Sequence, residues 1–122
     1  MAQILVVDDS NTVRTEVSDF LRKNGLDVIT AVDGRDGLRQ LELDPAIKLV
    51  VSDINMPNMD GLTMAEKIRT DLNNTAVRIV MLTTEDNAGM RSRGKEIGIT
   101  GWIVKPFRGE AVLGPFRKLC GM

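Results

Sequence analysis

The stretch VVSDINMPNMDG, Val50 to Gly61, decides the fold. It ends the apolar run IKLVVSD, which begins at Ile47, with Asp53, then continues into a loop of asparagine, proline, aspartate and glycine, the residues turns are made of. A short run that is apolar on both faces is a strand covered on both sides, and that belongs to a parallel sheet rather than a half-exposed antiparallel one. Four more such runs recur at regular intervals: QILVV from Gln3, DVITA from Asp27, RIVMLT from Arg78 and GWIV from Gly101. The segments between them have helical spacing. Val13, Val17, Phe20 and Leu21 form one stripe, stopped by Asn24 and Gly25; Leu38 and Leu41 mark a second, and Leu62, Ala65, Ile68 and Leu72 a third. Strand alternates with helix throughout, so the expectation is a doubly wound α/β domain around a five-stranded parallel sheet, with five helices.

The 122 residues suit one domain spanning 1–122, with no effector domain expected. The single cysteine, Cys120, has no partner, so a disulfide framework is excluded and a reducing, cytoplasmic setting is expected. MAQILVVDD reaches two carboxylates after four strongly apolar residues, too few for a signal peptide core or a membrane span, and no membrane insertion is expected. A net charge of −1 with both signs mixed lacks the electrostatic footprint of a nucleic-acid binder, so no nucleic-acid partner is expected. The chain has no histidine and no tyrosine. That removes Ser/His and Cys/His triads, the usual zinc sites and a phosphohistidine carrier, and leaves carboxylates, hydroxyls, amines and backbone to do any chemistry.

Ligands of doubly wound sheets bind at the carboxyl ends of the strands, where the winding reverses. The first strand ends in Asp8 and Asp9, the third in Asp53, the fourth in Thr83 and Thr84, and the fifth in Lys105. Each has an ordinary structural explanation. Asp9 or Ser10 suits the cap of the first helix, Asp60 that of the third, Thr83 or Thr84 that of the fourth, and Lys105 a solvated strand end. Convergence would change the balance. If the first and third strands are neighbours at the reversal, three carboxylates share one crevice and repel by about 4 kcal/mol per pair at about 4 Å and an effective dielectric of about 20. Such a cluster needs a cation, and all-oxygen donors without histidine or thiol suit a hard ion, Mg²⁺ rather than Ca²⁺. With Lys105 as a second positive charge and a threonine hydroxyl nearby, the set suits a phosphoryl group whose acceptor is a carboxylate.

Asp8-Asp9 after the first strand, Asp53 followed by INMPNMDGL, Thr83 at the end of the fourth strand and KPF from Lys105 together resemble the receiver (CheY-like) domain of two-component response regulators, in its single-domain form. The resemblance covers essentially the whole chain. It implies a flavodoxin-like sheet of order 2-1-3-4-5, an order carried by the resemblance and not by the spacing. It implies a phosphorylation-activated switch in which Asp53 accepts a phosphoryl group, with Mg²⁺, from a histidine kinase or a histidine phosphotransfer protein. A strand that must present an acyl phosphate to a metal ends in a carboxylate for that reason. Asp9 is implied as a direct metal ligand, Asp8 as one acting mainly through water, and Asp53 and the Asn55 backbone carbonyl as further ligands. Lys105 is implied to pair with the carboxylate and then the phosphate, with a cis bond to Pro106. Thr83 is implied to donate to a phosphoryl oxygen, and its movement to let the side chain of Trp102 swing inward; this aromatic position is usually Tyr or Phe, and core packing is the other reading of Trp102. Thr84 stands where a smaller residue is common. Asn55 and Glu85 occupy the positions that govern the hydrolytic water and imply a short-lived acyl phosphate. Output is implied to run through protein contacts of the helix 4, strand 5 and helix 5 face with an unidentified downstream protein, as in chemotaxis or phosphorelay receivers. Catalysis is confined to the domain's own phosphoryl transfer and autodephosphorylation.

Two segments depart from the regular pattern. DNAGMRSRGKEIG carries Gly89 and Gly94 inside a helical stretch, which predicts a weak fourth helix anchored by Met90 and Ile97, with Arg91, Arg93 and Lys95 outward. RGEAVLGPFRKLCGM carries Gly114-Pro115, which predicts a kink or short break near Leu113. The alternative reading is an Mg²⁺-dependent aspartate-nucleophile phosphatase of the haloacid dehalogenase type, with Asp8 as nucleophile. That chemistry needs an acid aspartate two residues later, where this chain has Ser10.

Overall fold

Side-chain alternation along five short strands sorts the apolar residues onto two faces of one sheet. The computed structural model describes residues 2–84 and 87–121. Its strands are β1 (Ile4–Val7), β2 (Val28–Ala31), β3 (Leu49–Ser52), β4 (Arg78–Thr83) and β5 (Gly101–Val104), and its helices α1 (Asn11–Lys23), α2 (Gly34–Leu43), α3 (Gly61–Thr70), α4 (Ala88–Ile97) and α5 (Gly109–Leu119). All strand pairs are parallel, in the order β2-β1-β3-β4-β5, so the expected doubly wound topology is present. Leu5, Val7, Val50 and Met81 meet Leu41 of α2 and Met64 of α3 on one face. Ile4, Val6, Val51 and Leu82 meet Leu21 of α1 and Phe116 of α5 on the other. Each such fully buried side chain stabilises the fold by about 1.5–3 kcal/mol relative to exposure, and that term holds the layers together. No helix among the described residues is long and apolar enough to cross a membrane.

The helix ends resolve which residues cap. Ser10 Oγ, not Asp9, caps α1 by accepting from Val13 N at 3.3 Å, and Asp60 caps α3 by accepting from Thr63 N at 2.8 Å. Neither Thr83 nor Thr84 caps α4: β4 runs on through Thr83, and Asn87 takes the cap, accepting from Met90 N at 2.8 Å.

Of the kink or short break expected near Leu113, the break does not occur: α5 is a single helix with Pro115 inside it. Two features explain its continuity. A proline disfavours helical backbone at the preceding residue by clashing with that residue's Cβ, and Gly114 has none. The carbonyl that loses its partner to the proline ring belongs to Ala111, which is exposed and can be solvated.

α4 is held as its sequence suggests. Met90 and Ile97 pack partly against the core while Arg91, Arg93 and Lys95 are exposed, and Gly94 is its one buried residue. Its end is also tied down from α3, where Arg69 donates to the carbonyls of Asn74, Val77 and Gly98 at 2.7–3.0 Å. The two glycines differ in surroundings. A Cβ on Gly89 would touch only Asn87 Oδ1, at an ordinary 3.5 Å, whereas one on Gly94 would press on Ile99 Cγ1 and Trp102 Cζ3 at 3.3 Å. Gly89→Ala is therefore expected to stabilise the protein by up to about 1 kcal/mol, and Gly94→Ala to gain clearly less. Urea unfolding checks this, and equal gains at both positions would contradict it.

Candidate functional site

Sheet register brings the acidic residues together. Val7 pairs with Ser52 across β1 and β3, so Asp8 and Asp53 leave the two strands side by side. The backbone continues the ladder one step further, with Asp53 N donating to Val7 O at 3.0 Å and Lys105 N to Thr83 O at 2.8 Å. A carboxylate oxygen from each of Asp8, Asp9 and Asp53 lies within 4.8 Å of the others. Asp8 is 2% and Asp53 9% exposed, whereas Asp9 faces solvent.

Both buried carboxylates divide their oxygens in the same way. Asp8 Oδ1 accepts from Ser10 N at 2.9 Å and Asp53 Oδ1 from Ile54 N at 2.7 Å, so one oxygen of each is held by a nearby amide. The other oxygens, Asp8 Oδ2 and Asp53 Oδ2, each accept from Lys105 Nζ at 3.2 Å. The peptide bond from Lys105 to Pro106 is cis. Arg14 of α1 adds an anchor the sequence did not reveal, donating to the Asp8 carbonyl at 2.7 Å and so holding the turn between β1 and α1.

Burial pushes the Asp8 carboxyl above the ordinary carboxylate range; the Ser10 amide and Lys105 oppose this, and the neighbouring Asp53 adds to it. Burial alone would lower Lys105, but the Asp53 and Asp8 carboxylates outweigh it and hold the ammonium above the usual lysine value. Three carboxylates against one ammonium leave two negative charges at one rim of the sheet. The donor atoms are hard oxygens with no sulfur or imidazole among them, so charge and chemistry both fit a hard divalent cation.

The other candidates lie around this centre. Thr83 is fully buried at the end of β4. Trp102 pairs with Met81 in the sheet and packs partly against the core, with the Arg91 guanidinium 5.3 Å from its ring centroid. Core packing thus accounts for part of its surface. Asn55 is exposed and borders a cleft of about 370 Å³ that runs between the β3–α3 loop and Met90 and Arg93 of α4. Glu85 lies outside the described residues.

Sequence reasoning also missed Asp33, which has 9% exposure. Its Oδ1 caps α2 by accepting from Asp36 N at 2.9 Å, and its Oδ2 accepts from Asn58 Nδ2 at 2.8 Å. These bonds hold the carboxyl below the ordinary range, the Asp36 amide first and Asn58 second. A lowered folded value means a contribution that is present above the unfolded carboxylate value and lost as the pH falls through the folded one. Asp33→Ser keeps a cap but removes the titration, so its stability deficit relative to the parent is expected to shrink in acid. Urea unfolding at neutral and acid pH measures this; a deficit independent of pH would contradict it.

The model of the response regulator receiver domain matches residues 4–114. Similar proteins include PilG of Pseudomonas aeruginosa, 32% identical over 115 residues, which cover 94% of this chain and 84% of that protein. Chemotaxis protein CheY1 of Helicobacter pylori is 35% identical over 106 residues, 86% of each. Among solved structures, chemotaxis protein CheY4 of Vibrio cholerae superposes with a TM-score of 0.89 at 38% identity, covering 98% of both chains. A chain of the CheX-CheY-BeF3-Mg²⁺ complex of Borrelia burgdorferi does so with a TM-score of 0.87 at 28% identity, covering 97% of this chain and 88% of that one.

Proposed function

Because this chain belongs to the response regulator receiver domain family, we propose that Asp53 is its phosphoacceptor, and that phosphorylation there switches its contacts with other proteins. The observation that carries this is the Lys105 ammonium at 3.2 Å from an oxygen of both Asp8 and Asp53, with Asp9 clustered beside them. An oxygen of the Asp53 carboxylate attacks the phosphorus of a phosphohistidine on a histidine kinase or histidine phosphotransfer protein. The O–P bond forms and the P–N bond breaks, with its electron pair staying on the imidazole nitrogen, which takes up a proton. Lys105 neutralises charge on the phosphoryl oxygens, and the Thr83 hydroxyl donates to one of them. Asp9, Asp53 and the Asn55 carbonyl, with Asp8 mainly through water, would hold Mg²⁺, which would supply the remaining positive charge.

Asn55 and Glu85, both polar and not bulky, leave water free to hydrolyse the acyl phosphate, so the phosphorylated form is short-lived; persistence over many hours without a phosphatase would contradict this. The signal leaves through α4, β5 and α5 to a downstream protein, with Trp102 reporting the change, and the protein works in the cytoplasm. The chemotaxis proteins CheY1 and CheY4 among the similar chains favour a chemotaxis setting. The phosphatase reading has no comparable support: Ser10, at its acid position, is occupied in capping α1.

The test is titration with Mg²⁺ and then beryllofluoride, followed by Trp102 fluorescence, which has a single source in this chain. A saturable, Mg²⁺-dependent change that Asp53→Asn abolishes is expected; no response, or the same response in Asp53→Asn, would refute the proposal.

A further inference from the structure

The loop after Asp53 is closed at its base and fastened at its tip. At the base, Gly61 N donates to Ile54 O at 2.8 Å. At the tip, Asn58 stands in the left-handed region, at φ 68°, and Met59 N tightens the turn by donating to Pro57 O at 2.7 Å. From there the Asn58 side chain reaches Asp33, 25 residues earlier in the chain, with Nδ2 2.8 Å from Oδ2. Asp33 uses its other oxygen to cap α2, so one carboxylate joins the start of that helix to the loop that follows the acceptor aspartate. The two backbones close up beside this bond: a side chain on Gly34 would meet Met59 O at 2.6 Å.

We propose that the Asp33–Asn58 hydrogen bond is a latch that holds the β3–α3 loop, and with it the Asn55 carbonyl, in the arrangement the site needs; Asp33 and Asn58 are then positioning residues. The effect on the metal rests on the reading above, in which that carbonyl is a ligand. A helix cap needs one carboxylate oxygen, and a left-handed residue needs only a permissive backbone, so neither local role accounts for the bond between them. Ile54 anchors the start of the loop in the core, Met56 and Met59 pack partly on it, and Asn55, Pro57 and Asn58 are exposed, so the Asn58 bond fastens the outer part of the loop. Ordering such a segment costs about 1–2 kcal/mol per residue in backbone entropy, which a loop already fixed does not charge against metal binding.

Asn58→Gly tests the latch without strain, because glycine keeps the left-handed backbone and removes only the donor. Asp33→Ser keeps one oxygen for the α2 cap and leaves none for Asn58 Nδ2; separately, Asp33→Asn together with Asn58→Asp reverses the polarity of the bond while Asn at position 33 still caps α2. Two readouts are taken on unphosphorylated protein: the Mg²⁺ dissociation constant by calorimetry, and amide hydrogen exchange of residues 54–60 without metal. Asn58→Gly and Asp33→Ser are each expected to weaken Mg²⁺ binding about tenfold, as loss of a partner behind a metal ligand does, and to speed exchange in the loop. The exchanged pair is expected to return both readouts to near the parent values. Unchanged loop exchange in Asn58→Gly, or an exchanged pair that restores nothing, would overturn the latch. Faster loop exchange in Asn58→Gly, beside a parent protein that binds no Mg²⁺, would sustain the latch while refuting the metal site.

Discussion

Gly61→Ala is expected to lower the unfolding free energy by about 3 kcal/mol or more, at the upper end of what an added methyl costs in a packed interior. A Cβ at this position would lie 2.1 Å from Asp53 O, 3.0 Å from Asp53 C and 3.1 Å from Ile54 Cα. All three are backbone atoms, so no side chain can turn away to make room. The displaced atoms are those of the proposed acceptor and of the bond that closes its loop, Gly61 N to Ile54 O. The substitution should therefore damage Mg²⁺ binding together with stability, whereas Gly89→Ala, whose Cβ meets only Asn87 Oδ1 at an ordinary 3.5 Å, improves stability and leaves the metal alone. Urea unfolding and Mg²⁺ titration of the two variants check this; a Gly61→Ala protein as stable as the parent would show that the close approach of loop and strand is not real.

Lys105→Met is expected to separate the two roles of the ammonium. The methionine stem keeps most of the packing but strands the Asp8 and Asp53 carboxylates, which are 2% and 9% exposed, with only their amide partners. Removing one member of a buried ion pair costs about 3–5 kcal/mol, and the mouth of this site is open enough to water that about 2 kcal/mol is expected for the metal-free protein at neutral pH. Mg²⁺ should recover much of that loss, since it replaces the missing positive charge. Phosphorylation should not recover, because Lys105 would no longer meet the phosphoryl oxygens. Thermal unfolding with and without Mg²⁺, alongside phosphate incorporation, separates these effects. Equal destabilisation with and without the ion would mean that Lys105 does not balance the metal's charge.

The layers of this fold were legible because the strands are short and apolar, although only β1, β3 and most of β4 are buried, while β2 and β5 at the sheet edges are partly open, with Val104 46% exposed. RIVMLT and GWIV are β4 and β5 residue for residue. Misreadings arose where one residue cancels another's local effect. Pro115 alone argues for a kinked or broken helix, but Gly114 before it removes the clash with a preceding Cβ, and the helix runs on unbroken. Thr83 and Thr84 resemble a cap until β4 is seen to run on through Thr83, which leaves Asn87 at the helix start. Asp8, Asp9, Asp53 and Lys105 could be placed at one rim because strand ends are ordered by the sheet itself. Arg14 and the Asp33–Asn58 pair could not be anticipated. Their bonds depend on how a loop turns back onto a distant element, and no spacing in the sequence encodes that.

Exposure of the purified protein to a small phosphodonor such as acetyl phosphate, with and without Mg²⁺, followed by intact mass and mapping of the modified peptide, tests the account most directly. One phosphoryl group per chain is expected, on the peptide containing Asp53, only when Mg²⁺ is present, and absent from Asp53→Asn. A protein that stays unmodified, takes up phosphate elsewhere, or is labelled equally without the metal would contradict it.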